Sequence, residues 1–193
     1  MGRRRDVEKT SVQTGNTSWK DRIERSVEPP ARYDDDGVSA ITRFEGQWVW
    51  LSNFARVDIR YGGIAYKTVE HAYQAQKTML AKERVAISQM YLASSARHAG
   101  RTVKLRKDWE EVKLEVMTEI LELKYGVAEY RELLLATGER ELVEGNNWHD
   151  RFYGMCDCGR RRPNQSYDPT PGCEQGGQNW LGRLTMAIRE ELR

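Results

Sequence analysis

Between Trp109 and Leu123 the apolar residues Trp109, Val112, Val116, Ile120 and Leu123 recur at steps of three and four, with Lys and Glu on the other face. A 3.6-residue repeat gathers that apolar set on one stripe, so the segment predicts a long helix buried along one side, with Gly126 beyond its end. Such a helix needs partners with matching apolar faces. NWLGRLTMAIREEL, residues 179–192, offers one, because Leu181, Leu184, Ile188 and Leu192 share a side. Two more helices are read over about 82–98, ended by Gly100, and over 128–136, stopped at Thr137-Gly138. Another starts after Thr68, a good N-cap, and runs through Leu80.

The β content is small. VDIRYGGIAY sets Gly62-Gly63 between two short alternating runs, the pattern of a hairpin, and ELVE at 141–144 reads as a short strand. The class is mainly α (α+β): a compact helical single domain with a small β-hairpin. Residues 1–38 mix charges of both signs with Pro29-Pro30 and a DDDG turn, and read as a mobile N-terminal tail. Within it Trp19 and Ile23 are spaced for one face of a short docked helix. The domain is expected over 39–193.

A chain of 193 residues that is 39% hydrophobic has material for one substantial core. The net charge of +2 gives no strong general pull toward nucleic acid or anionic membrane, so an anionic ligand needs a local site. No apolar run approaches the ~20 residues of a membrane span, and MGRRRDVEKT lacks the apolar middle of a signal peptide. No membrane partner is expected, and the expected location is cytoplasmic.

Cys156, Cys158 and Cys173 are expected as reduced thiols. Cys156 and Cys158 form C-x-C rather than the C-x-x-C of most structural zinc sites. His149 and Cys173 complete a four-ligand set on paper, but no metal and no cofactor are assigned. The glycine- and proline-rich stretch 156–178, with Arg160-Arg161-Arg162, reads as an irregular loop.

The chemistry concentrates in TVEHAYQAQK, residues 68–77, where Glu70, Gln74 and Lys77 form a polar stripe one turn wide. A solvated face is the ordinary reading of such a stripe. Against it stand Asn53-Phe54 upstream and Trp148, Asp150 and Tyr153 in a glycine-bounded loop downstream. Two carboxylates facing each other across an aromatic cleft suit glycoside chemistry: one stabilises an oxocarbenium-like centre or activates water, the other handles the leaving group's proton. Asp150 also reads as a turn residue bonding its own backbone. Trp109 reads as core more readily than as a ligand-stacking ring. Gly176-Gly177-Gln178-Asn179 before the last helix offers backbone N–H groups of the kind that hold phosphate. His71 and His98 are given no catalytic part.

LSNF at 51–54, GIAYKTVEHAYQAQK at 63–77, AGR at 99–101, DW at 108–109, LLATGERELVEGNNWHDRFYG at 134–154 and GQNWLGRLTMAIREEL at 177–192 together resemble the NADAR (YbiA-like) family. The resemblance covers about residues 41–192. It implies a mainly helical domain that cleaves N-glycosidic bonds to a phosphorylated ribose. The substrate classes it implies include a ribosylamine phosphate of riboflavin biosynthesis and ADP-ribose on guanine, with a tie to NAD metabolism and with ADP-ribosylated nucleic acid as a partner. It implies catalytic roles for Glu70, Lys77 and Asp150. Tyr153 stands where the family usually has tryptophan, and Thr185 where it usually has a bulky aliphatic residue.

The expected division of labour follows. Glu70 stabilises positive charge at C1′ and orients water, and Asp150 holds ribose hydroxyls or moves a proton. Lys77 offers an alternative route by forming an imine with an opened ribose. Phe54 and Tyr153 stack on a ring, Gln74 positions, and Asn53, Gly154, Gly177, Asn179 and Trp109 complete the substrate-binding set. The rival reading is a module that binds ADP-ribose or a nucleotide without cutting it, reaching nucleic acid through the Arg160 loop and a zinc knuckle.

Overall fold

The structure, a computed structural model, describes residues 40–158, 173 and 176–193. The expected tail at 1–38, the docked helix at Trp19 and Ile23 and the arginine run 160–162 lie outside the described residues.

Strand β1 (Ala40–Ile41) leads through a 3-10 segment (Gly46–Leu51) to the hairpin of β2 (Arg56–Tyr61) and β3 (Ile64–Thr68). Gly62 and Gly63 take φ of 56° and 81°, the left-handed pair that a tight primed turn requires. Helices α1 (Val69–Ala75), α2 (Ala81–Gln89), α3 (Ala93–Ala99), α4 (Trp109–Gly126) and α5 (Ala128–Ala136) follow. Strands β4 (Glu141–Leu142), β5 (Gly145–Asn146) and β6 (Met155–Cys156) then precede α6 (Trp180–Glu191).

Helix α4 is the axis of the molecule, packing against α1 and β2 and against α5 and α6. Because it is covered from two directions, its buried surface is wider than one stripe. Trp109, Val116 and Ile120 are buried as their spacing requires, Leu123 is partly exposed, and Met117, Leu121, Lys124 and Tyr125 go into the interior instead. Lys124 is fully buried and donates from Nζ to the carbonyls of Leu51 and Ser52, at 3.0 Å each. Its ammonium therefore caps the end of the 3-10 segment, one residue before Asn53.

Two helix boundaries differ from expectation, each for a hydrogen-bonding reason. Thr68 caps α1 as expected, its Oγ1 accepting from the His71 N–H, but the helix ends at Ala75 rather than Leu80. Residues 77 and 78 leave it because the Lys77 carbonyl accepts from the Arg106 N–H at 2.8 Å and Thr78 pairs with Leu105. The expected helix over 82–98 is two helices. At Met90 the backbone turns extended, and its carbonyl accepts from Lys67 Nζ and sits 3.2 Å from the ring nitrogen of buried His71. Side chains thus compete successfully for that carbonyl, and the chain bends there.

Three small pairings complete the architecture. The hairpin is antiparallel, while β1·β4 and β5·β6 are parallel pairs of two residues each. Strands this short leave no periodicity to read. They matter because β4 and β5 flank Glu144, and β5 and β6 bracket the loop that carries Asp150. Thr185 is fully buried in α6, so the departure from an aliphatic residue falls inside the core.

Candidate active site

A cavity of about 530 Å³ opens between α1, the loop after β5 and α3. Glu70, Tyr73, Gln74 and Lys77 reach it from α1 and the turn that follows. Asp150, Tyr153 and Trp148 reach it from the loop, Asn53 and Phe54 from the end of the 3-10 segment, and Arg97 and Arg101 from α3 and its C-terminal end. The polar stripe of residues 70–77 therefore faces a pocket rather than solvent. Its volume suits a ligand of nucleotide size.

Both signs of charge line the cavity. Glu70, Asp150 and Glu144 supply carboxylates, while Lys77, Arg97 and Arg101 supply cations. Burial pushes the Glu70 carboxyl above its ordinary range, although the Gln74 Nε2–H that donates to its Oε1 at 2.9 Å and the fields of Arg97 and Lys77 oppose this. The backbone of Glu70 is pinned as well, its N–H donating to the Asn53 carbonyl at 3.0 Å. Burial pushes the Lys77 ammonium below its ordinary range, with Glu70 resisting and Arg101 and Arg97 adding to the drop.

Glu144 is the group that sequence spacing did not single out. Burial and the nearby Asp150 raise its carboxyl to about 7, against the attraction of Lys124. Among the described residues its Oε2 has no hydrogen-bond partner, nor has Asn53 Oδ1, although both are buried. Both atoms are sealed from solvent, so each unpaired acceptor carries a desolvation cost of about 1–3 kcal/mol. Arg97 and Arg101 were also missed. The signals for them are their i, i+4 spacing and, for Arg101, its place in the AGR stretch at 99–101.

Asp150 realises both of its readings. Its Oδ1 accepts from the N–H groups of Phe152 and Tyr153, at 3.0 and 2.9 Å, so it builds its own turn, and the residue also lines the cavity. Asn146 grips the same residue from the other side, accepting from the Asp150 N–H and donating to its carbonyl. Tyr153 packs edge-on against Tyr73, and the hydroxyl that distinguishes it from tryptophan lies 2.8 Å from the Tyr73 hydroxyl and donates to the Lys113 carbonyl. That hydroxyl is spent within the wall.

Four expected ligand contacts are not brought to the cavity. Trp109 stands behind it, 5% exposed, with its ring against Tyr73. The amides around Gly177 are not free for phosphate, because the Asp150 loop consumes them. Gln178, Asn179, Trp180 and Leu181 donate their N–H groups to the carbonyls of Arg151, Gly154, Phe152 and Tyr153. Gly177 and Gly154 are pressed together at that seam, where a Cβ at 177 would overlap the Gly154 carbonyl oxygen. Asn179, left-handed at φ 51° and fully buried, accepts at Oδ1 from the Glu144 N–H and donates from Nδ2 to the Leu142 carbonyl. These residues hold the loop and Glu144 in place.

The comparisons with known proteins bear on the family and the fold. The NADAR domain model matches residues 42–193. An N-glycosidase of Nostoc punctiforme is 36% identical over 149 residues, covering 74% of this chain and 85% of the relative. The N-glycosidase YbiA of Escherichia coli is 38% identical over 145 residues, covering 74% and 80%. A riboflavin biosynthesis protein of Vibrio vulnificus is 31% identical, and the matched region is only 35% of that longer protein. The solved structure of Escherichia coli YbiA superposes with a TM-score of 0.61 at 32% identity, covering 80% of this chain and 89% of that one.

Proposed function

The chain belongs to the NADAR family, and from that membership we propose an N-glycosidase that cuts the bond between a base or amine and a phosphorylated ribose, an ADP-ribose-type glycoside by preference. The observation that carries the reading is one cavity lined by carboxylates, by cations and by aromatic rings together. Phosphate suits Lys77, Arg97 and Arg101 through charge-assisted contacts. Ribose hydroxyls suit Asp150. Phe54 and Trp148, each partly exposed at the cavity, offer faces for a base, which favours a ligand larger than ribose phosphate.

In the proposed mechanism the C1′–N bond lengthens as positive charge grows on the sugar. Glu70, ionised and fixed by Gln74 Nε2, faces that charge and orients the attacking water. Glu144, whose carboxyl holds its proton to about pH 7, protonates the departing nitrogen. Water supplies the hydroxyl at C1′, and its proton passes to Glu70. A second route has one observation in its favour: burial pushes Lys77 toward the neutral amine, the form that attacks an opened ribose to give an imine. Borohydride during turnover separates the two, since only the imine leaves a stable adduct on Lys77.

The test is to incubate the protein with ADP-ribosylated guanine in DNA, a riboflavin-pathway ribosylamine phosphate, NAD and ADP-ribose, and to detect released base by mass spectrometry. Release from the ADP-ribosylated guanine at the highest rate supports the preference. Release from the ribosylamine phosphate alone supports the glycosidase and rejects the preference.

A further inference from the structure

Outside the residues that line the cavity, four side chains converge that the proposed reaction does not use. The imidazole of His149 and the thiols of Cys156, Cys158 and Cys173 bring one ligand atom each to within 4.8 Å of one another. His149 Nδ1 lies 3.3 Å from Cys158 Sγ and 3.6 Å from Cys173 Sγ. All three cysteines are free thiols, and Cys156 and Cys173 are buried.

We propose that these four residues are a structural zinc site. A tetrahedral centre with Zn–S of about 2.3 Å and Zn–N of about 2.0–2.1 Å separates its donor atoms by roughly 3.5–3.8 Å, the scale on which these atoms already stand. Three thiolates and one imidazole are the soft, borderline set that selects zinc over calcium or magnesium. Four protein ligands close the coordination sphere, so the ion holds structure and activates no water.

The C-x-C spacing that counts against zinc on paper is explained by the strand. Cys156 ends β6, and in extended chain alternate side chains point to the same face. Cys156 and Cys158 therefore turn together toward the cluster, while Asp157 between them pairs with Arg43 on the opposite side. His149 adopts φ 68°, a left-handed conformation rare outside glycine, and holds it in the turn where its ring meets the thiols. The next residue is Asp150. The ion would thus tie the cavity's loop, β6 and Cys173, shortly before the Gly177–Asn179 seam, into one unit.

The test uses the full chain purified without chelator. Elemental analysis is expected to give about one zinc per chain, and X-ray absorption three sulfur neighbours and one nitrogen at the distances above. Cys158→Ser is expected to lose the zinc, and His149→Cys to keep it by exchanging nitrogen for a fourth sulfur. The absorption spectrum of the wild type decides independently of whether any variant folds. Less than a tenth of an equivalent of metal with three freely reactive thiols would overturn the proposal. So would a disulfide among the three in freshly reduced protein, full zinc in Cys156→Ser/Cys158→Ser, or a different metal at full occupancy. None of these outcomes depends on which glycoside is cut.

Discussion

Glu144 is the residue on which the pH behaviour of the site turns. Its carboxyl is raised to about 7 by burial, so as a proton donor it is competent below that value and lost above it. Glu70 acts in the opposite sense, becoming effective as it ionises, and burial moves that step above the ordinary carboxylate range. The account therefore predicts a bell-shaped kcat/KM profile whose alkaline limb falls near pH 7. Glu144→Gln should remove that limb and lower kcat by about 10²–10⁴-fold, the usual reach of general acid catalysis. A Glu144→Gln enzyme with the wild-type profile would remove Glu144 from the reaction. Arg97 and Arg101 divide from it by kinetic signature. Arg101→Ala should raise KM roughly tenfold on phosphorylated substrates with little change in kcat, since a phosphate contact is made alike in ground and transition states. Equal turnover of phosphorylated and dephosphorylated substrate by the wild type would contradict that assignment.

At the level of elements, α6 and the Asp150 loop behave as one piece, because four N–H groups entering α6 are satisfied by loop carbonyls at Arg151, Phe152, Tyr153 and Gly154. Gly177→Ala would force a Cβ into the Gly154 carbonyl oxygen at that seam. We expect about 1–3 kcal/mol of destabilisation in denaturant unfolding and a loss of activity through the displaced Asp150. A Gly177→Ala protein of wild-type stability would mean that the seam is looser than described. The same seam explains why GGQN was misleading as a phosphate cradle: donors before a helix are visible in a sequence, but the acceptors that occupy them come from a loop more than twenty residues earlier. The hairpin and α5 were legible because Gly62-Gly63 and Thr137-Gly138 are local signals. The break at Met90 was not, because His71 and Lys67 reach that carbonyl from another element.

For the whole molecule the interior charge at Lys124 is the least legible feature, since a lysine in a helix pattern reads as solvated. The structure drives it to the centre to satisfy the Leu51 and Ser52 carbonyls, and burial lowers its ammonium to about 7 from an ordinary 10.5. Between those values the unfolded chain holds a proton that the folded chain has released, so this lysine makes stability rise with pH above about 7. Glu144, raised from 4.5 to about 7, works in the opposite direction below that pH and adds nothing above it. Lys124→Met should therefore flatten the gain in unfolding free energy between pH 7 and pH 9, and parallel curves for variant and wild type would refute the assignment. The positions of Glu70 and Asp150 across a cleft were legible from spacing and from resemblance. The extent of the cavity, its arginines and Glu144 were not, because elements far apart in the chain bring them together.

The central claim is that Glu70 acts on one N-glycosidic bond in this cavity while Asp150 holds the ribose beside it. It is tested most directly by mass spectrometry of ADP-ribosylated guanine and ribosylamine phosphate after incubation with the wild type, Glu70→Gln and Asp150→Asn. The account predicts free base from the wild type and at least a roughly hundredfold slower release from each variant. Intact substrates after prolonged incubation with the wild type, or full release by both variants, would contradict it.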